Sequence, residues 1–407
     1  MKVGESTQFQ RVIGYFHGTI FLFSIIIGAG IFVAPKGVLK YSSLNVGVSL
    51  SIWAACAVVS MLAALSHAEL GTTFPRSGAQ YYFLKRSLGP FIAFFYLWTN
   101  LFSTPAGIAA RGLLLAGYIM QPFYPGCFVP EMPKKCLALA ILWCLGILNA
   151  RGVKEVTWFQ TVSTAVKMTV LGFISVTGIV LLVRGRRENL ARFEKAFDAD
   201  VPDASQIAEA FLQGLFAYSG WGVLVRIAGE LKSPSENIPK CVVTALTLVA
   251  LIYLLVNVSY LAVLTPKEIM SSDLILLISY VGFTDWIQLG LMMVGLLKLR
   301  FQEPNLSRPY KVRLPFVFGT MAISLFLVLT PIIKSPQIYH IYVILFILSG
   351  LLFYLPFVHF DLGSTYFNKI TCFLQLLLNV SPADDIDEYI STGGKVQKNP
   401  PATATKK

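Results

Sequence analysis

The stretch Ile25-Ile26-Ile27-Gly28-Ala29-Gly30-Ile31-Phe32 interrupts an otherwise continuous apolar run. A bilayer-spanning helix needs about 20 mostly apolar residues, and glycines in its interior weaken it. In lipid, broken backbone survives only where it is buried in protein or lines a cavity. A second interruption, Ala217-Tyr218-Ser219-Gly220-Trp221-Gly222, lies far downstream. Paired interruptions of this kind point to the substrate site of a transporter built from inverted repeats.

Around these breaks the chain reads as about ten apolar runs: 14–33, 46–68, 91–120, 136–148, 158–183, 207–227, 241–263, 274–297, 314–333 and 341–357. The fourth is short for a span. The 407 residues are 55% hydrophobic and 13% charged, against about 25% charged in a soluble domain. The fold class is therefore all-α, a polytopic membrane bundle occupying residues 1–366. The formal charge of +12 is spread over loops rather than gathered in a basic stripe with aromatics, which excludes a nucleic-acid signature. The first run is too long for a signal-peptide h-region and reads as a retained anchor. Near the carboxyl end, Ile370, Phe373, Leu374 and Leu377 share a helical face with Lys369 on the polar side. Residues 367–380 thus read as an interfacial helix or a loosely ordered tail. Residues 381–407 are polar and read as disordered.

Lys and Arg near the span ends orient the bundle. With the amino terminus inside, Arg76, Lys85, Arg86, Arg151, Lys154, Lys232, Lys240, Lys298, Arg300 and Arg308 fall on the cytoplasmic side, as does the carboxyl terminus. The segment Ser77–Phe83 is half polar and aromatic, and reads as a re-entrant segment or an interfacial loop. None of the six cysteines forms a C-x-x-C pair, and Cys56, Cys144 and Cys241, in or beside apolar runs, read as buried thiols. No H-E-x-x-H or G-x-S-x-G is present and the four histidines are scattered, so neither an enzyme, a cofactor nor a metal centre is expected.

The breaks themselves carry chemistry. An interrupted helix leaves N–H groups free on one half and C=O groups free on the other. The N–H end attracts a carboxylate, and the carbonyls accept from an ammonium. Two such breaks side by side suit an α-amino acid: Gly28, Ala29 and Gly30 for its carboxylate, Ala217, Tyr218 and Ser219 for its amine. The alternative is that these glycines only permit close helix packing.

Four segments resemble the light chains of the heteromeric amino-acid transporters, of the amino acid–polyamine–organocation superfamily. They are Ile27–Phe32, Phe74-Pro75-Arg76-Ser77-Gly78-Ala79-Gln80-Tyr81-Tyr82, Arg151-Gly152-Val153-Lys154 and Phe216–Trp221. Lys134–Ala140 and Gln302–Ser307 are most similar to the aspartate/glutamate transporter light chain. The resemblance implies a leucine-transporter fold and sodium-independent exchange of acidic amino acids, cystine or both. It implies a plasma-membrane location and a disulfide from Cys127 to a single-span heavy-chain glycoprotein of the rBAT type. From the residues alone, Cys127 could instead pair with Cys136 or stay free. The resemblance also gives Phe216 the part of an aromatic closing over the substrate, with Gly220 in the same motif. Ala29 stands where many relatives carry Ser. Lys167 matches a fifth-span lysine that stands in for sodium.

Arg111, Lys167 and Arg226 lie within spans, where a charge costs about 2.5–3.5 kcal/mol on insertion scales and so faces protein or water. Arg226 precedes Glu230 by four residues, a spacing for a helical pair; the sharper reading is a contact to an acidic substrate side chain. The second repeat looks incomplete. After Leu264–Asp273 the sequence passes straight to a run resembling the family's tenth span, so the eighth and ninth are missing. The loss is expected to expose Tyr218 and Ser219 to lipid. An alternative function is therefore a non-transporting splice form or assembly partner that binds the heavy chain.

Overall fold

A computed structural model describes residues 13–74, 79–124, 129–151, 153–185, 193, 196–198, 200–228, 231–265, 269, 275–334 and 338–359. Cys127, Glu230, the segment 367–380 and the tail 381–407 lie outside them. The described residues are mostly helical. In chain order the helices are α1 (Tyr15–Ile26), α2 (Gly30–Tyr41), α3 (Val46–Thr73), α4 (Ala79–Leu88), α5 (Pro90–Met120), α6 (Glu131–Arg151) and α7 (Val153–Val183). They continue with α8 (Ala204–Ala217), α9 (Val223–Arg226), α10 (Pro234–Val263), α11 (Ile275–Gln302), α12 (Leu314–Lys334) and α13 (Ile338–Ser349). A separate unit from Leu351 onward contains α14 (Leu351–Tyr354) and a π-helical turn, Leu355–His359.

Local chemistry sets the helix starts. Asn45 caps α3, its side chain accepting from Val48 N at 3.1 Å. Asp203 and Gln206 form a reciprocal capping box on α8, at 2.8 and 2.9 Å. Pro90 and Pro234 open α5 and α10, where a missing N–H costs nothing.

Among the described residues, Val46–Thr73, Trp158–Val183, Pro234–Val263 and Leu314–Lys334 are long and apolar enough to cross a bilayer. The α1–α2 pair, bent by 50°, makes a fifth candidate. The helices α5, α6 and α11 run 31, 21 and 28 residues, or about 45, 30 and 40 Å at 1.5 Å per residue. Polar residues such as Asn100, Arg111, Asp285 and Lys298 lower the apolar character of α5 and α11.

Several boundaries differ from the sequence reading. The first apolar run continues to Tyr41 through Pro35, because Ala34, Val38 and Leu39 are all buried. The fourth run is a full helix, extended by a polar first turn in which Glu131 and Lys135 pair at 3.4 Å. Residues from Ala79 form α4 rather than a loop. Cys144 is exposed, not buried, since α6 turns that face outward, whereas Cys56 and Cys241 are buried as expected.

The core gathers around the breaks. The helix α2 packs on α8, α1 and α3 pack on α10, and α10 packs on α7. Leu22, Ile31, Trp53, Leu212, Tyr218 and Tyr253 are fully buried there. A buried ion network ties α3 to the end of α11. Glu69, 0% exposed, pairs with Arg300 and accepts from Val312 N at 2.9 Å, with Arg308 Nε at 3.8 Å.

Candidate functional site

The two breaks meet. A Cβ on Gly30 would stand 2.5 Å from Ala217 Cα, so only glycine permits this approach. Gly220, at φ +107°, lies against Ile25 in the same way: an added Cβ would be 2.9 Å from its Cγ2. Close packing therefore explains Gly30 and Gly220. It does not explain Gly28, whose added Cβ would meet nothing nearer than 3.9 Å.

At the first break the chain leaves α1 at Ile27 (ψ 84°), and Gly28 N turns back to Ile26 O at 2.8 Å. Ala29 is the N-cap of α2 and has no side-chain acceptor. No described protein group accepts from the N–H groups of Ala29, Gly30 or Ile31. Ala29 is exposed, whereas Gly30 and Ile31 are buried, so of the three donors only that of Ala29 belongs to an exposed residue. A serine here would cap the helix with its own hydroxyl; alanine leaves the donors free for an anion.

The carbonyl side of the first break is already held by the protein. Lys167 Nζ, reaching from α7, donates to Ser24 O at 3.0 Å and Ile27 O at 2.7 Å. The ammonium of Lys167 thus sits on carbonyls at the unwound end of α1. Ser24 Oγ lies 2.5 Å from Thr164 Oγ1 and fixes α7 beside the break.

At the second break α8 ends at Ala217, Ser219 N bonds Phe216 O at 3.2 Å, and Val223 N restarts the helix from Gly220 O at 3.2 Å. Tyr218 is 0% exposed and packs with Trp53 and Tyr253, its hydroxyl donating to Trp53 O at 3.3 Å. The expectation that it would face lipid is thus wrong for Tyr218: α3 and α10 cover it. Phe216 and Ser219 are half-buried.

Sequence reasoning missed Tyr253. Its hydroxyl lies 3.0 Å from both Ile26 O and Ala217 O, one donor shared between the carbonyls of the two breaks. It sits in a run of leucines, isoleucines and valines, where an aromatic signals nothing but core. The Ala217 carbonyl therefore has a protein partner and one lone pair to spare.

Arg226, in α9, is exposed and makes no hydrogen bond or ion pair with any described residue. The helix end it occupies lies next to Trp221, whose ring is 5.5 Å from that of His67. Asp285 on α11 is within electrostatic range of both Arg111 and Arg226. Cys136 is a free, exposed thiol at the start of α6.

Comparison with known proteins gives a consistent identity. Residues 13–288 match the amino acid permease family. The chain is 47% identical to solute carrier family 7 member 13 of Mus musculus, over 96% of this chain and 99% of that protein. The Homo sapiens protein of that name is 46% identical over 95% and 100%. The b(0,+)-type amino acid transporter 1 of Homo sapiens is 32% identical over 94% and 96%. The mouse alignment runs over 472 positions, while 96% of 407 residues is about 391, so about 80 positions of that alignment have no counterpart here.

Proposed function

Because the chain belongs to the amino acid permease family, among the light chains of the heteromeric amino-acid transporters, we propose that it exchanges amino acids without sodium. It is a multi-pass membrane carrier, not an enzyme. The substrates are acidic amino acids, cystine or both, and the site is the contact between the two breaks. The carboxylate lies on the N–H groups of Gly28, Ala29 and Gly30. The ammonium lies by the carbonyls of Ala217, Tyr218 and Ser219, with Phe216 and Gly220 beside it. The carrying observation is that the N–H groups of Ala29–Ile31 have no acceptor among the described residues, while Gly30 packs directly on the second break. The two salt-free contacts of Lys167 support sodium independence, because a protein cation already occupies carbonyls that an ion would need.

The partner is a heavy-chain glycoprotein of the rBAT type, linked through Cys127, at the plasma membrane. An outer loop is oxidising and permits the bond. The outward face of α6, with Leu139, Trp143, Gly146 and Ile147 around an apolar groove of about 370 Å³, offers a seat for one apolar helix. The test is uptake of labelled L-aspartate and L-cystine into proteoliposomes holding the chain and its heavy chain. Uptake that requires internal amino acid and is indifferent to sodium supports exchange.

The gap of about 80 positions favours a second reading. We place it after Asp273, where the family's eighth and ninth spans belong. A chain without them would keep Cys127 and bind the heavy chain without transporting. Correct insertion and a heavy-chain disulfide without uptake would select this reading.

A further inference from the structure

We propose that Lys311 and Arg313, on the segment joining α11 to α12, form a headgroup site for an anionic membrane phospholipid whose acyl chains lie along the outward face of α12. The proposal rests on the membrane-spanning character of α12 and stands whether or not the chain exchanges amino acids.

The buried ion network anchors this segment from beneath. Val312 is buried; its N–H donates to Glu69 Oε2 at 2.9 Å and its carbonyl accepts from Arg300 Nη2 at 2.7 Å. Lys311 and Arg313, on either side of it, are exposed. Such alternation of burial is that of extended chain, so the anchored residue holds both cations outward. The ion pairs around the segment are Arg86 with Glu303, and Arg300 and Arg308 with Glu69. Neither Lys311 nor Arg313 enters an ion pair among the described residues.

The charge here is in excess. Glu69 serves two buried guanidinium groups, those of Arg300 and Arg308, and Glu303 is taken by Arg86. The helices α4 and α12, which pack on α11, contain no Asp or Glu. Two outward cations over a net-positive base attract a phosphate group. What lies next to them selects a lipid rather than a free anion. Arg313 is followed at once by Leu314, the first residue of α12, a helix long and apolar enough to cross a bilayer. Exposed Leu314, Phe318, Leu325, Leu329 and Ile333 share one face of that helix at helical spacing. One molecule with an anionic head and apolar chains meets both surfaces. Phosphatidylcholine has the phosphate, but its quaternary ammonium leaves no net charge, whereas phosphatidylserine stays negative. These two lipids are therefore the discriminating pair.

The experiment measures dissociation constants of short-chain phosphatidylserine and phosphatidylcholine on the purified full chain in neutral detergent, with lipid-induced thermal stabilisation as a second readout. The wild type is expected to favour phosphatidylserine, and less so at high salt. An anionic surface attracts each cation about fivefold, so Lys311→Gln and Arg313→Gln are each expected to lower the preference about fivefold, and the double variant about twentyfold or more. Lys311→Arg keeps the charge and is expected to keep the preference. Lys298→Gln is the control. It removes an exposed cation two residues before Arg300, across α11 from the bond to Val312, and is expected to leave the preference unchanged. No preference in the wild type overturns the site, as does a preference that survives both single exchanges. An effect of Lys298→Gln as large as that of Arg313→Gln makes the attraction a diffuse property of the surface and also overturns it. The single exchanges remove exposed, unpaired cations and decide the matter even if the double variant does not fold. Glycerophosphoserine, a headgroup without acyl chains, binding as tightly as the lipid would overturn the lipid assignment.

Discussion

Replacing Lys167 by methionine tests the sodium substitute. The side chain keeps its length but loses the charge and both bonds, to Ser24 O at 3.0 Å and Ile27 O at 2.7 Å. A hydrogen bond from a charged donor contributes about 1.5–3 kcal/mol. Two bonds give about 3–6 kcal/mol, and half-burial of Lys167 favours the low end. About 3 kcal/mol against the bent form of α1 is roughly a hundredfold in its population. The assay is exchange of labelled L-aspartate at equal surface protein, with sodium and with choline. Lys167→Met is expected to lose exchange about a hundredfold in either salt, and the wild type to be indifferent to the swap. Exchange by Lys167→Met within about threefold of wild type would refute the reasoning, as would wild-type exchange that needs sodium.

Gly30→Ala forces a Cβ to 2.5 Å from Ala217 Cα and is expected to cost about 1–3 kcal/mol by overpacking, read as a lower melting temperature. Gly28→Ala meets open space and should leave melting unchanged while impairing exchange. Tyr253→Phe removes the donor shared by Ile26 O and Ala217 O, and exchange is expected to fall about fivefold, in line with about 1 kcal/mol for one hydrogen-bond donor, with surface amount unchanged. Glu69→Ala leaves Arg300, 8% exposed, without its partner; breaking such a pair costs about 3–5 kcal/mol, visible as earlier aggregation on heating by size-exclusion fluorescence.

The helices were legible because an apolar run of sufficient length has few other fates. The breaks were legible because glycine pairs inside such runs have no packing-neutral reading. Lys167 was visible as a charge with nowhere polar to go. What stayed hidden depends on partners far apart in the chain. Glu69 and Arg300 are separated by 231 residues and show no local period. Tyr253 needs both breaks in place before its hydroxyl has a purpose. His67 looks scattered until Gln80 and Trp221 fold against it. The shielding of Tyr218 was misjudged for the same reason: Trp53 and Tyr253 cover it from α3 and α10, and helix lengths say nothing of that.

The central claim is that the donors at Ala29 and Gly30, which have no acceptor among the described residues, hold the substrate. The direct measurement is the alkylation rate of an Ala29→Cys chain, with Cys136 and Cys144 replaced by serine, in the presence and absence of L-aspartate. Ala29 is exposed, so the thiol is expected to react quickly, and saturating L-aspartate to slow it markedly while L-lysine does not. A rate that L-aspartate leaves unchanged, in a chain shown to bind it, would place the substrate elsewhere and contradict the account.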